Sequence, residues 1–264
     1  LVVLTQRWGH SYFHFVCEAL VRLAPALAAI ATSGRARARA AHVHVASAAP
    51  PFVAELLSAV FGIEHSRIVD GLQRSKRVWL AESVACGTPS LAQVAGLRGA
   101  LHAGALLPVR ASDARRTTLL VRRTVATSRR LRNWRELREA LAAAAAALGD
   151  VLVTFDDARL PSARATLALF ARAHAVVAAH GAALANLVAA SPGAVVVEVL
   201  DRGDVRVCYA ALAAKLDLHY RAVAAVAPGF SAPTARVVAL AARGAGGDES
   251  CGIIAASAQE VDAL

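Results

Sequence analysis

From residue 117 onward, short apolar runs alternate with longer segments of helical periodicity. The apolar runs predict five strands, TTLLVRR, VLVTF, AVVAA, AVVVEVL and LHYRAV. The segments between them predict helices from Asn133 to Leu148, from Ser162 to about Ala173, over roughly 182–190 and from Asp204 through Leu216. Asn133 stands three residues before Glu136, which predicts a capping box. Such alternation is typical of a parallel sheet covered by helices.

The first hundred residues show a similar but less regular alternation. Strand LVVLT, a helix from about Ser11, strand HVHVAS, a helix over 52–61 and apolar runs near 67 and 78 follow one another. Pro25 should end or bend the first of these helices, because proline cannot donate the helical hydrogen bond.

A boundary near 108–113 is predicted where Pro108, Ser112 and Asp113 precede an arginine-rich stretch. It would separate a domain over 1–110 from a domain over 111–243, followed by a linker and tail over 244–264. The predicted fold class is therefore α/β, with two Rossmann-like domains that face one cleft.

The hydrophobic content of 57% resembles that of a membrane protein, although much of it is alanine. Residues 175–200 are the best candidate for a span. They include His180, Asn186, Pro192 and Glu198, which are costly or helix-breaking in lipid. We therefore expect this stretch to be buried inside a folded domain.

The ends of the chain and its cysteines add two expectations. The sequence starts at Leu1 and contains no methionine, so we expect that an upstream segment, with a signal or a membrane anchor, is missing. The four cysteines are widely spaced and form no CxxC pair, so a metal site is not expected.

The net charge of +10, carried largely by arginine, indicates an anionic partner such as a nucleic acid, an acidic lipid or a phosphorylated small molecule. The alternative is a codon bias toward alanine, arginine and glycine, which explains most of the composition. A nucleic-acid groove would also need interleaved aromatic residues. The only aromatic residue in the stretch RRTTLLVRRTVATSRRLRNWR is Trp134. No nucleic acid is therefore expected among the partners.

Residues 180–194, HGAALANLVAASPGA, are the first candidate for chemistry. The turn lies at the carboxyl end of a predicted strand, where open α/β sheets bind ligands, and Gly181 would let an anion approach the backbone. Glu198 is predicted at the same sheet edge, where it could accept hydrogen bonds from ribose. The alternative is a tight turn with a satisfied histidine.

Arginines and a histidine–glutamate pair are the other candidates. Arg122 and Arg123 end the first strand of the second half, so at least one could meet a phosphate at that edge. In RWGHSYFHFVCEALVRL, His14 and Glu18 are four residues apart and share one helix face, which suits a general base. An ordinary surface pair is the alternative.

Taken in order from about residue 8 to 220, these stretches resemble glycosyltransferase family 61, which includes plant xylan arabinosyl- and xylosyltransferases and animal O-linked N-acetylglucosaminyltransferases. The resemblance is carried by SYFHFVCEALVRL, CGTPS, RRLRNWREL, LFARA and, above all, HGAALANLVAASPGAVVVEV. It implies a GT-B fold and inversion at the anomeric carbon without an obligatory metal or other cofactor.

The resemblance also implies roles for particular residues. His180, Gly181 and Ala182 would cradle the diphosphate of the donor. Arg122 and Arg129 would neutralise it, although the arginine pairs at 122–123 and 129–130 can be aligned with the family in two ways. Glu198 would lie near the ribose, and His14 or Glu18 would be the base.

The implied function is transfer of a sugar from a nucleotide donor, expected to be a UDP-sugar, to a hydroxyl of a glycan or glycoprotein. The alternative is a catalytically degenerate member that binds a nucleotide or an anionic glycan without transfer. By resemblance, the full-length protein is expected in the Golgi or endoplasmic reticulum lumen behind an anchor, or in the cytoplasm if it is bacterial.

Overall fold

The computed structural model describes residues 1–107, 116–203, 206–227 and 229–242. Within these ranges the protein is a mixed α/β structure with two parallel sheets. This arrangement is compatible with Rossmann-like domains. The predicted boundary at 108–113, the predicted helix start at Asp204 and the tail over 244–264 lie outside the described residues.

The first sheet contains four parallel strands in the order β3-β2-β1-β4. The strands are β1 (Val2–Val3), β2 (Val43–His44), β3 (Ile68–Val69) and β4 (Trp79–Leu80). The helices of this half are Tyr12–Thr32, Arg35–Arg39, Pro51–Phe61, the 3₁₀ turn His65–Arg67 and Leu91–Ala103. The predicted strands LVVLT and HVHVAS are thus confirmed, and the apolar runs near 67 and 78 are strands as well, although each of the four strands is only two residues long.

The second sheet contains five parallel strands in the order β6-β5-β7-β8-β9. They are β5 (Thr117–Arg122), β6 (Val151–Asp156), β7 (Ala173–Ala179), β8 (Val195–Leu200) and β9 (His219–Ala224). The helices are Trp134–Ala147, Ala163–Arg172, the 3₁₀ helix Ala182–Ala189, Cys208–Lys215 and Thr234–Ala242. All five predicted strands are confirmed.

The strand order reverses between β5 and β7, which gives this sheet the doubly wound order 2-1-3-4-5 when its strands are counted from β5. Strand β7 is buried along its whole length. Val176 packs into one hydrophobic cluster and Val177 into the other, because successive residues of a strand face opposite sides of the sheet. Burial on both sides explains why this strand is a continuous apolar run.

The predicted membrane candidate over 175–200 is folded as β7, the 3₁₀ helix Ala182–Ala189 and β8, and is almost entirely buried, as expected. Tyr12–Thr32 is a different case, because its length and composition would allow it to cross a membrane. In this structure 56% of its most apolar 18-residue stretch is buried within the protein, and the core helices of folded domains share this length and composition.

The helix Tyr12–Thr32 does not end at Pro25. Residues Phe15–Ala19 form a π-helical turn and Leu20–Arg22 a 3₁₀ turn, and the regular α-helix resumes at Leu23–Thr32. Pro25 therefore lies in the first turn of the regular segment, where a missing N–H is tolerated. The π turn matters for the site, because such turns change the direction of side chains and often occur at functional positions.

Asn133 precedes the helix Trp134–Ala147 as predicted, but the predicted capping box does not form. The side-chain amide of Asn133 instead donates to the carbonyl of Ala232 and to Thr234 Oγ1, and its Oδ1 accepts from the N–H of Ala232. Glu136 accepts a hydrogen bond from the Thr234 hydroxyl. Both side chains therefore bind the start of the helix Thr234–Ala242. These contacts join segments about 100 residues apart, so the local sequence could not predict them.

Contacts between the two halves fix the 3₁₀ helix Ala182–Ala189. The Tyr12 hydroxyl donates to Asn186 Oδ1 at 2.6 Å, and Asn186 is buried. The Arg98 guanidinium donates to the carbonyl of Ala190 at 2.6 Å, so one of the unpaired carbonyls at the end of this helix is satisfied.

We predict that the Tyr12–Asn186 contact stabilises the protein measurably. Tyr12→Phe should lower the free energy of unfolding by about 1–3 kcal/mol, because it leaves a buried amide oxygen without its donor. Urea unfolding of Tyr12→Phe, Asn186→Ala and the double variant would give the coupling energy, expected to be about 1 kcal/mol. Strictly additive effects of the two substitutions would contradict the prediction.

Candidate functional site

A basic cavity lies where the order of the second sheet reverses. Strand β5 ends at Arg122, and β7 ends at Ala179 and is followed by His180 and Gly181. Beside these ends is a cavity of about 250 Å³. Its lining residues are Val121, Arg122, Arg123, Thr124, Arg129, Arg130, Leu131, Trp134 and Ala179. The carboxyl ends of strands at such a reversal are where open α/β sheets bind ligands.

Arg123 and Arg129 form the inner part of this cavity. Arg123 donates to the carbonyls of Ser128 and His180, at 3.1 and 3.4 Å. Burial, and then the positive charge of Arg129, lower the pKa of the Arg123 guanidinium. Nη1 of Arg129 is buried and has no hydrogen-bond partner among the residues that the structure describes. Two close guanidiniums with a spare donor suit an anion with several oxygens, such as a phosphate.

Arg122 and Arg130 occupy more exposed positions. The Arg122 side chain is 46% exposed, forms an ion pair with Asp156 at 3.6 Å and lies over the Trp134 ring at 5.4 Å. Arg130 is exposed and donates to the carbonyl of Ala126. The structure therefore brings the predicted Arg122 and Arg129 into one cavity. Of the two candidates Arg122 and Arg123, it is Arg123 that lies against the turn formed by His180 and Gly181, the HG turn.

The loop that carries these arginines is held by Asp157. Its carboxylate accepts from the backbone N–H groups of Thr124, Val125 and Ala126, at 2.5, 2.9 and 3.1 Å. A carboxylate with three such donors fixes the backbone firmly. Asp157 was not predicted as a site residue, and its position after a strand was the only available signal.

Gly181 leaves room for the Arg123 guanidinium against the turn. Its backbone is extended, with φ 169° and ψ 170°, which any residue can adopt. A Cβ at this position would overlap the Arg123 guanidinium. Ala182 is exposed and begins the 3₁₀ helix, whose first N–H groups are free of intrahelical partners. Gly181 thus allows the arginine to lie directly on the turn.

The Glu198 carboxylate fixes the orientation of the His180 ring through a hydrogen bond. The two form a hydrogen bond of 2.5 Å between Nδ1 and Oε1, and the Tyr220 hydroxyl donates to the other carboxylate oxygen at 2.5 Å. Glu198 is 0% exposed. Both of its oxygens are engaged, so in this structure it supports His180, while the predicted ribose contact stays a prediction.

A second histidine–carboxylate pair lies in the first half, where the helix Tyr12–Thr32 makes its π turn. His14 Nδ1 and Glu18 Oε1 are 2.7 Å apart, and Glu18 also accepts from the N–H of Gly87 at 2.8 Å and from Gln6 Nε2 at 3.2 Å. The side chain of His14 is 22% exposed and that of Glu18 only 8%. Glu18 therefore orients the more accessible imidazole.

The CGTPS segment supplies the support for Glu18. Gly87 has φ +70°, which favours glycine, and a Cβ there would come within 3.1 Å of both Phe13 and Cys208. Next to it, Cys86 is exposed. Desolvation raises the pKa of its thiol, and the Glu18 carboxylate raises it further through its charge and a hydrogen bond. Ligand atoms of His14, Glu18 and Cys86 all lie within 4.8 Å of one another.

Tyr209 connects the His180–Glu198 pair with the His14–Glu18 pair. Its hydroxyl donates to the carbonyl of Gly181 at 2.7 Å, and its ring lies 5.1 Å from the His180 ring and 5.4 Å from the Phe13 ring. Phe13 in turn contacts His14, with ring centroids 5.1 Å apart. The structure therefore unites candidate residues that lie far apart in the sequence. Tyr209 itself was missed, since no local pattern marks it.

The matched family model is that of Glycosyltransferase 61, and it covers residues 12–197. The chain belongs to glycosyltransferase family 61. The matched range contains His14, Glu18 and the whole basic cavity, and it ends one residue before Glu198. Family 61 membership identifies the protein as a sugar transferase.

No curated protein matches the chain. Among solved structures, it is similar to a mutant flavo di-iron protein from Thermotoga maritima, with 8% identity and a TM-score of 0.36, over 79% of this chain and 74% of that one.

We predict that Gly181→Ala impairs anion binding without unfolding the protein. The extended backbone accepts alanine, and the flexible Arg123 side chain can move aside, so unfolding free energy should change by less than about 1 kcal/mol. Displacing the guanidinium should weaken binding of inorganic pyrophosphate, measured by calorimetry, by about tenfold or more.

Gly99→Ala provides the matched control, because a Cβ at this position in the helix Leu91–Ala103 meets no atom within 4 Å. It should bind pyrophosphate as the unmodified protein does and gain up to about 1 kcal/mol of stability from helix propensity. Equal pyrophosphate affinities for the two variants would show that Arg123 on the turn is not part of the site.

Proposed function

We propose that this family 61 protein is an inverting glycosyltransferase that moves a sugar from a UDP-sugar to a hydroxyl of a glycan or glycoprotein. The observation that carries the proposal is the unsatisfied, buried Nη1 of Arg129 beside Arg123, at the carboxyl edge of the second sheet. The GT-B arrangement of two Rossmann-like domains, with the donor held mainly by the second, belongs to the same proposal.

On the donor side, the diphosphate would lie against the HG turn. Arg123 and Arg129 would donate to its oxygens, with Arg122 at the rim, and the N–H groups that begin at Ala182 would face it. As the bond to the sugar breaks, negative charge grows on the departing diphosphate, and fixed positive groups stabilise that charge. Because the guanidiniums supply this charge, we propose that no metal ion or other cofactor is required.

On the acceptor side, we propose His14 as the base and Glu18 as a positioning residue. The Glu18 carboxylate accepts hydrogen bonds, so Nδ1 of His14 carries the proton and Nε2 keeps its lone pair. Nε2 would take the proton of the acceptor hydroxyl while its oxygen attacks the anomeric carbon opposite the departing diphosphate. Attack from the opposite face inverts the configuration, and proton NMR of the product would check it.

The compartment belongs to the proposal as well. If the source is eukaryotic, we propose the Golgi or endoplasmic reticulum lumen with a membrane anchor in the full-length protein; a bacterial member would be cytoplasmic. The helix Tyr12–Thr32 is long and apolar enough to cross a membrane, but it carries Glu18, and 56% of its most apolar stretch is buried within the fold. Fractionation of cells that express the full-length gene would locate the protein.

We predict that UDP raises the melting temperature in the presence of EDTA. A ligand at 100 times its dissociation constant adds about 2.7 kcal/mol of stability, equivalent to about 5–10 °C for a chain of this size. Arg129→Ala should weaken UDP binding about 10- to 150-fold, the effect of losing charge-assisted hydrogen bonds of about 1.5–3 kcal/mol.

Arg135→Ala is the matched control, since Arg135 is exposed and does not line the cavity. It should keep the full shift with UDP. No shift with UDP, GDP or CMP would contradict the donor site, and a shift that appears only with Mn²⁺ would contradict the metal-free proposal.

We predict that His14→Ala lowers the turnover number for sugar transfer about 10²- to 10⁴-fold while UDP binding is retained, because only proton removal is lost. Glu18→Gln should also lower turnover, through misorientation of His14.

His102→Ala is the control, because His102 is exposed at the end of the helix Leu91–Ala103. Normal turnover of His14→Ala would refute its assignment as the base, and UDP binding without turnover in the unmodified protein would favour the degenerate alternative.

A further inference from the structure

His14, Glu18 and Cys86 form a cluster of three chemically different ligands. An imidazole nitrogen, a carboxylate oxygen and a thiol sulfur all lie within 4.8 Å of one another. His14 and Glu18 come from one helix at i,i+4 spacing, and Cys86 comes from the CGTPS segment. The sequence did not predict a metal site, because cysteines without a CxxC pair carry no local metal signature.

We propose that these three residues bind a zinc ion, which blocks the proposed base. Zinc accepts nitrogen, oxygen and sulfur ligands together, and three protein ligands leave a fourth position for water. In a tetrahedral site with bonds of about 2.0–2.3 Å, ligand atoms lie about 3.3–3.8 Å apart. The three ligand atoms already lie within 4.8 Å of one another, and the separation of 2.7 Å between His14 Nδ1 and Glu18 Oε1 would open as the metal replaces the shared proton.

The surroundings of the cluster suit a metal site. The N–H of Gly87 and the amide of Gln6 donate to the Glu18 carboxylate, so the least mobile ligand is already oriented by an outer shell. Cys86 is exposed and His14 is partly exposed, which gives an ion direct access from solvent. On binding, the thiol proton leaves to solvent and Cys86 coordinates as the thiolate.

Metal at this cluster would oppose catalysis. His14 directs Nδ1 toward Glu18, so zinc would take Nδ1 and the proton of the imidazole would move to Nε2. A protonated Nε2 has no lone pair for the acceptor hydroxyl. Zinc would thus inhibit transfer and a chelator would restore it. This inhibition rests on the proposed function, whereas the metal site itself does not.

The test is titration of the intact protein with Co²⁺, a spectroscopic substitute for zinc. We expect one equivalent to bind, with a thiolate-to-cobalt charge-transfer band in the near ultraviolet and visible bands typical of four-coordination, both removed by added Zn²⁺. Cys86→Ser should abolish the charge-transfer band, and His14→Ala should weaken binding at least tenfold. Melting temperatures would verify that both variants are folded.

Cys208→Ser is the matched control, because Cys208 carries the neighbouring thiol next to Gly87. It should leave the spectrum unchanged. A charge-transfer band that follows Cys208, or an unchanged spectrum in Cys86→Ser, would overturn the proposal, as would the absence of stoichiometric binding.

Activity forms a separate arm of the test. Zn²⁺ should inhibit transfer by the unmodified protein at least tenfold, with recovery in EDTA, and should inhibit Cys86→Ser much less. Cobalt binding without any transferase activity would retain the metal site and reject the proposed function. Transfer that is equally sensitive to zinc in Cys86→Ser would reject the inhibitory site.

Discussion

The aromatic contact of Tyr209 joins two halves of a site that would otherwise be separate. Its hydroxyl donates to the carbonyl of Gly181, and its ring packs against the rings of both His180 and Phe13. Tyr209 is 2% exposed, so packing on all sides fixes the position of its ring. The location of the proposed donor turn relative to His14 therefore depends on this buried side chain together with the Tyr12–Asn186 contact.

The two histidines are organised in the same way and differ in accessibility. Each directs Nδ1 at a glutamate, but Glu198 is fully buried and the side chain of its histidine is only 6% exposed, whereas the side chain of His14 is 22% exposed. A buried, doubly hydrogen-bonded carboxylate is suited to fixing a turn. An oriented imidazole that reaches solvent is suited to exchanging a proton or binding a metal.

Positive charge at the cavity is concentrated before any ligand arrives. The loop that carries Arg123 and Arg129 is fixed by Asp157, and the two guanidiniums repel each other in a half-buried position. An anion would relieve that repulsion and fill the spare donor of Arg129. The net charge of +10 does not by itself identify a ligand, because the positions of the charged residues decide what the protein binds.

The local elements follow from the sequence alone, because apolar periodicity and caps act between near neighbours. The five strands of the second sheet, the Ser162 cap and the turn at His180 were all predictable in this way. Three other features exist only in the folded chain: Arg123 lies on that turn, Asn133 binds Ala232, and Cys86 joins His14. They depend on strand order and on packing between segments far apart in the chain, which no local pattern encodes.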